Sequence, residues 1–200
     1  MRSSFSFVTL LGAVLVLTAC HDDVATTPVT VTVKPVGTIA VDGTMDSAQM
    51  LAAGQFDNIG DPLYINQLLN ARNKNKRDEE MALVSFSSDA VSSEDAEAGI
   101  RARGYHPADL DECLAYSAAL VKGWQTYDLD PPTYKTVCLG QFVQVNYSRY
   151  FPMLVLGDNY DYERGWDLEL GRGDRDVSSF FSWGSKWAWS QRTRFLAVHN

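Results

Sequence analysis

The chain has 200 residues, 46% of them hydrophobic, which is enough for one domain with a full core. Its formal net charge of -8 argues against broad binding to a phosphate backbone, so nucleic acid is not an expected partner. The five tryptophans are distributed unevenly, since four of them follow residue 160. Rigid apolar surface is therefore concentrated in the C-terminal part of the chain.

The N-terminal segment has the pattern of a secretion signal. Arg2 is followed by an almost unbroken apolar run over residues 5–16, and small residues precede Cys20. This run is too short to span a bilayer stably. The pattern resembles bacterial lipoprotein signals, which implies removal of residues 1–19, acylation of Cys20 and anchoring in the bacterial cell envelope. His21 follows the cysteine where an aspartate would favour the inner membrane, so the outer membrane is expected. The alternative is an ordinary buried cysteine.

Residues 20–43 are rich in Thr, Val and Pro and lack helical periodicity, which favours an extended tether between lipid and domain. One alternative is open, because the alternating VTVTV over residues 29–33 also suits a strand. Pro28 and Pro35 on either side would confine such a strand to a sheet edge. The globular domain is predicted to comprise residues 44–200.

Helix signals recur through the first half of this domain. Capping by Thr44 or Asp46 predicts a helix that ends near Gly54, and Pro62 at an early helical position predicts another that ends near Asn70. The charge run over residues 72–80 is interpreted as a solvated loop. The short apolar stretch 81–86 predicts a buried strand.

Two further helices are predicted after that strand. Ser92 or Ser93 caps the first, which Gly104 ends, and the second runs from about Pro107 to Gly123. Beyond it, strands are predicted over 137–145, 152–157, 177–183 and 192–198. A glycine-rich acidic excursion lies between the second and third of these strands.

Three cysteines become two once Cys20 carries lipid. In an oxidising compartment Cys113 and Cys138 are predicted to pair. Such a bridge contributes roughly 3 kcal/mol in the chain-entropy model. The alternative is two separate buried thiols, and no Cys/His spacing typical of zinc sites is found in the sequence.

The chain resembles a family of uncharacterised bacterial proteins in four stretches. These are MDSAQMLAAGQFDNI, VSSEDAEAGIRARGYHPADLDECLAY, FPMLVLG and the aromatic stretch that closes in RFLAV. The family implies no activity that could be carried over. The helix pair also resembles that of C-type-lectin-like folds, although the EPN, QPD and WND calcium-sugar motifs are absent. The predicted fold class is therefore α+β, with early helices, a small mostly antiparallel sheet and long loops, in a lectin-like arrangement.

No HExxH, GxSxG, P-loop or GxGxxG motif occurs, so an enzyme is not expected. Aromatic side chains near flexible glycines make good contact sites for a partner. Trp183, Trp187 and Phe195 are assigned to the core. The candidate binding residues are Asp158, Tyr160, Asp161, Tyr162, Trp166 and Trp189, of which Tyr160, Tyr162 and Trp189 are expected at the surface.

Three functional hypotheses follow from this pattern. The leading one is a lipid-anchored domain for non-catalytic recognition of a protein or glycan, without a cofactor. The second is a structural lipoprotein of an envelope assembly, and the third is an acid/base hydrolase, which requires two carboxylates that converge in a cleft. Calcium bound by acids of residues 158–169 is an alternative to the absence of any cofactor, without EF-hand spacing.

Overall fold

The computed structural model describes residues 29–88, 90–123, 135–156, 166–172 and 189–200. Within these ranges, four helices and nine strands occur. The strands are β1 (Val31–Asp42), β2 (Phe56–Ile59), β3 (Lys76–Phe86), β4 (Tyr105–Pro107), β5 (Lys135–Val137), β6 (Val143–Val145), β7 (Ser148–Leu156), β8 (Trp166–Arg172) and β9 (Thr193–His199). The helices are α1 (Ser47–Gly54), α2 (Pro62–Asn70), α3 (Ser93–Arg101) and α4 (Leu110–Gly123).

The described strands form one open sheet in the order β1-β3-β9-β5-β7-β8-β2, with β4 beside β9 and β6 beside β7. Only the β5–β9 and β2–β8 pairs are parallel. The α+β class and the mostly antiparallel sheet are confirmed. The expected small size of the sheet is wrong, because β1, β2, β8 and the polar half of β3 also join it.

The predicted tether is wrong for residues 31–42, which form β1 and pair with β3. A bulge at residues 35–37 explains how this strand contributes to both faces of the sheet. Val31 and Val33 pack with the core on one face, whereas Ile39 and Val41 belong to the core on the other. Strict alternation would place these four odd-numbered residues on one face, so the extra residue of the bulge is what separates them. The alternative prediction of an edge strand is confirmed.

The charge run is also partly a strand rather than a loop, because β3 begins at Lys76. Lys76, Asp78 and Glu80 are exposed, while Arg77 and Glu79 are half-buried. Every second side chain therefore faces the interior, as the pleat of a strand requires. The prediction of a buried strand at residues 81–86 is confirmed.

Local capping chemistry places the first three helices as predicted. The side chains of Asp46, Asp61 and Ser92 each accept a hydrogen bond from a backbone N–H of the first turn. The fourth helix begins later than predicted, because Pro107 belongs to β4. Its cap is Asp109, whose backbone N–H donates to Glu112 Oε2 at 2.9 Å. Glu112 N–H donates to Asp109 Oδ1 at 3.4 Å, which completes a capping box.

The sheet separates two cores. Helices α1, α2 and α4 cover one face together with Ile39, Met81 and Leu196. Helix α3 covers the other face, where Phe86, Phe151 and Phe195 are buried. Phe195 was correctly assigned to the core, while Trp183 and Trp187 lie outside the described residues.

The C-terminal strand predictions are confirmed in part. Residues 137–145 do not form one strand, because Gly140 leaves the sheet and its N–H donates to Ala108 O at 2.8 Å. A Cβ at Gly140 would lie 2.6 Å from Pro107 O, so only glycine allows this close approach. The predicted strand at 152–157 is part of β7 and the last predicted strand is β9. Residues 177–183 lie outside the described ranges.

Cys113 of α4 and Cys138, directly after β5, form the predicted disulfide, with their Cα atoms 6.3 Å apart. Both cysteines are fully buried within the core beneath α4. The signal segment, Cys20 and the tether up to residue 28 lie outside the described residues. Among the helices that are described, none has the length and apolarity needed to cross a membrane.

Candidate functional site

The predicted aromatic binding face is described only at two positions. Asp158, Tyr160, Asp161 and Tyr162 lie outside the described residues. Trp166 begins β8, where its backbone lies opposite Leu156 of β7. The arrangement of the predicted binding face is therefore not described, apart from the backbone of Trp166 and the position of Trp189.

The expectation that Trp189 lies at the surface is wrong. Its side chain is only 8% exposed, and the indole N–H donates to Ser93 Oγ at 3.0 Å. Its ring packs edge-to-face on Phe195, with centroids 6.0 Å apart. Backbone hydrogen bonds to Val91 fix the segment, so Trp189 closes the α3 side of the core.

A different pair of aromatic side chains reaches solvent at the hairpin formed by β6 and β7. Val145 pairs with Ser148, which leaves Asn146 and Tyr147 as a two-residue loop. Asn146 adopts a φ of 58°, a conformation that asparagine tolerates well. Tyr147 at the tip is 86% exposed, and Phe142, just before β6, is 43% exposed. We call Phe142, Tyr147 and Arg149 the aromatic hairpin.

Arg149 holds the base of the aromatic hairpin in place. Its guanidinium carbon lies 5.4 Å from the ring centroid of Phe142 and 5.6 Å from that of Phe151. The two rings are themselves 5.7 Å apart. Arg149 also forms an ion pair with Glu94 of α3. The exposed Phe142 ring is thus supported by the buried Phe151 and tied to a helix on the same face.

The sequence does contain a signal for this hairpin. Val143 and Val145 alternate with a polar residue, Asn146 follows as a turn former, and a β-favouring run begins after it. The sequence analysis missed it because residues 137–145 were taken as one continuous strand. Exposure of Tyr147 follows from its place in the loop rather than from its residue type.

A second cluster gathers carboxylates around one guanidinium, that of Arg77 in β3. Arg77 Nη1 lies 2.9 Å from Asp111 Oδ2, Nη2 lies 3.0 Å from Glu112 Oε1, and Nε lies 2.8 Å from Glu79 Oε1. Asp109 Oδ1 is farther away, 4.0 Å from Nη2. Burial opposes the charge of Arg77, but the hydrogen bonds and charges of Asp111 and Glu112 outweigh it and raise its pKa above the usual range.

Asp111 is fully buried, and its Oδ1 has no hydrogen-bond partner among the described residues. Burial, the hydrogen bond to Asp111 and the charges of Glu112 and Asp111 raise the pKa of the neighbouring Asp109 to about 9. The Asp109 carboxyl therefore keeps its proton at neutral pH, at the cap of α4.

This cluster meets part of the requirement for an acid/base hydrolase, since two carboxylates converge. The buried Asp111 is committed to Arg77, however, and the cluster ties β3 to the start of α4. Among the described residues, no group of three or more His, Cys, Asp or Glu side chains is arranged to hold a metal ion. Of the acids considered for calcium, Asp167 and Glu169 belong to β8, whereas those at residues 158, 161 and 163 lie outside the described ranges.

The protonated carboxyl of Asp109 gives the domain a pH-dependent stability. The folded-state pKa of Asp109 lies above its unfolded value near 3.8, so the folded state binds the proton more tightly. Stability contributed by this group is present at low pH and falls as pH rises from about 4 to about 9. Because 25% of the side chain reaches solvent, we expect Asp109→Asn to stabilise the fold at pH 8 by only about 1–2 kcal/mol.

Asparagine keeps both the helix cap and a donor for Asp111, and it does not titrate. Urea denaturation between pH 5 and pH 9 would measure the effect. The Asp109→Asn protein is expected to have a flatter stability profile than the wild type. Asp95→Asn in the first turn of α3 is the matched control, and equal pH profiles for Asp109→Asn and wild type would contradict the raised pKa of Asp109.

Comparison of the chain with protein-family models, with curated proteins and with solved structures found no match. The resemblances noted from the sequence therefore stay predictions, and function has to be argued from the site itself.

Proposed function

We propose that this chain is a lipid-anchored protein of the bacterial envelope whose domain recognises a protein or a glycan without catalysing a reaction. The observation that carries the proposal is the aromatic hairpin, where Tyr147 is 86% exposed at the tip of a two-residue loop. Tyrosine offers both an apolar ring and a hydroxyl for contact with a partner, and Phe142 beside it adds a second exposed ring.

The geometry of the hairpin favours binding because the hairpin loses little conformational entropy when a partner contacts it. A two-residue loop has few accessible conformations, and Phe142 already rests against Arg149 and Phe151. Tyr and Arg are also the residue types that dominate the binding energy of many interfaces. A rigid Tyr–Phe–Arg surface is thus suited to act as the centre of a contact with a sugar ring or a protein side chain.

The lipid at Cys20 and the outer-membrane location belong to the proposal. Nine peptide units separate Cys20 from Val29, so the tether can hold the domain up to about 30 Å from the lipid. A lectin-like architecture is also part of it and rests on the resemblance of the helix pair in the sequence. Trp166, Tyr160, Tyr162, Asp158 and Asp161 are proposed as additional contacts, and Trp189 is withdrawn because it is buried.

A photo-crosslinking experiment in the intact envelope tests the recognition role. Benzoylphenylalanine replaces Tyr147 in the full chain, and the same probe at the exposed Lys74 is the matched control. We expect an adduct from position 147 only, and a several-fold smaller yield when Phe142→Ala is added. Sensitivity of the adduct to protease or to glycosidase distinguishes a protein from a glycan. The absence of any adduct at position 147 would contradict the proposal.

In the same strain, Cys20→Ser should release the chain from the membrane fraction, and retention there would refute the lipid anchor.

A further inference from the structure

The outer edge of β1 differs in character before and after its bulge. Within the described residues, β3 is the only strand that pairs with β1, which lies at the end of the sheet. The first half of the edge carries Lys34 and Pro35, two residue types that prevent pairing with another chain. The second half, Thr38–Asp42, has the sequence TIAVD and carries neither. The bulge thus separates a protected edge from an unprotected one.

An apolar groove of about 360 Å³ lies against this unprotected half. Thr38, Ile39 and Ala40 all line it, and consecutive residues of a strand point to opposite faces, so the groove includes the strand edge. The opposite wall is formed by α1 and by small side chains of α4, among them Ala115 and Ala118. The groove is therefore an apolar site next to a strand edge that no other described strand pairs with.

On the opposite face of the sheet, acidic side chains lie next to the same stretch of β1. Glu80 lies opposite Thr38 in the register and Asp78 lies opposite Ala40. Both acids are exposed, and among the described residues neither takes part in an ion pair, whereas Lys76 is paired with Asp42 at 2.7 Å. A strand added beside residues 38–42 would project alternate side chains toward the groove and toward this acidic face.

We propose that the edge of β1 over Thr38–Asp42 binds an extended segment of a partner protein by strand addition. The segment places apolar side chains in the groove and lysine or arginine side chains beside Asp78 and Glu80. Its recognition chemistry is thus an alternation of apolar and basic residues. Backbone hydrogen bonds supply affinity, and the groove and the two acids supply specificity.

A second copy of this chain fits the edge poorly. The β1 edge of a second copy would present Thr38, Ala40 and Asp42 on the acidic face, and none of these side chains is basic, so it cannot compensate the charges of Asp78 and Glu80. A small apolar ligand would fill the groove but leave the strand edge unpaired. An extended basic-apolar segment alone satisfies the groove, the edge and the charge together.

Calorimetric titration of the full chain with synthetic peptides tests the proposal. The probe is an acetylated eight-residue peptide that alternates leucine with lysine. One control replaces lysine by glutamate, and the other carries methyl groups on the backbone nitrogens that would donate hydrogen bonds to β1. Binding is expected for the probe, and affinity at least about tenfold weaker is expected for both controls. Ala118→Trp, which fills the groove, and the double charge reversal Asp78→Lys with Glu80→Lys should each weaken binding by a similar factor.

Each result decides for or against strand addition. The charge-reversal variant keeps the fold, because both acids are exposed, so it remains informative if Ala118→Trp does not fold. Tyr147→Ala should bind the peptide as the wild type does, which separates this edge from the aromatic hairpin. The proposal would be overturned if the probe did not bind, or if the groove variant and the charge variant both bound it as tightly as the wild type does. A dimer in sedimentation that Ala118→Trp abolishes would overturn it in favour of a second copy.

Discussion

Replacing Arg77 by methionine is expected to lower the free energy of unfolding by about 3–5 kcal/mol. The substitution removes the guanidinium that contacts the fully buried Asp111, and it leaves Glu112 without its ion-pair partner at 3.0 Å. An unpaired buried carboxylate costs far more than the loss of one exposed ion pair. Urea denaturation followed by tryptophan fluorescence measures the effect.

Two control variants show whether the buried charge is responsible. Lys76→Met removes the neighbouring ion pair, whose lysine side chain is 70% exposed, and is expected to cost less than about 1 kcal/mol. Adding Asp111→Leu to Arg77→Met removes the stranded charge and should recover a large part of the lost stability. If Arg77→Met and Lys76→Met had equal effects, the cluster would not stabilise the fold in the way described.

Removing the disulfide by Cys113→Ala with Cys138→Ala is expected to lower the free energy of unfolding by about 3 kcal/mol. The bridge spans 25 residues and joins α4 to the chain directly after β5, so it limits the freedom of the unfolded state. Both cysteines are fully buried, and alanine leaves their sulfur volume empty, which adds a packing loss.

The same experiment can be done by chemical reduction. Wild type unfolded in the presence of a strong reductant should approach the stability of the double alanine variant, whereas the variant itself should not respond to reductant. Intact mass after alkylation without reduction should show no label at either cysteine. Two labels under these conditions, or a stability that is independent of reductant, would contradict the disulfide.

The elements that the sequence predicted well are those whose signals are local. Asp46, Asp61 and Ser92 each satisfy backbone donors within three residues, so their helices could be located without knowledge of the fold. The stretches 31–42 and 76–80 were misassigned for the opposite reason. Their strand state depends on pairing with each other, and polar alternating residues favour it only when a partner strand is present.

The candidate sites also divide into those with a local sequence signal and those that depend on distant residues. Arg77 contacts Asp111 across 34 positions of the chain, and a charge run gives no sign of which member will be buried. Trp189 looked like a surface residue because glycine and polar residues surround it, yet Ser93 and Phe195 come from distant parts of the chain to bury it. Only the aromatic hairpin had a readable local signal, the Asn146 turn between alternating runs.

The position of β9 sets an order of events for the making of this protein. Residues 193–199 lie between β3 and β5, and in the described sheet those two strands have no direct pairing. The two halves of the described sheet therefore cannot be joined until residues 193–199 have been made, and until then β3 and β5 each expose an unpaired strand edge. Before β9 is in place, these open edges are sites at which neighbouring chains can pair, so the late strand that completes the sheet also removes a route to aggregation.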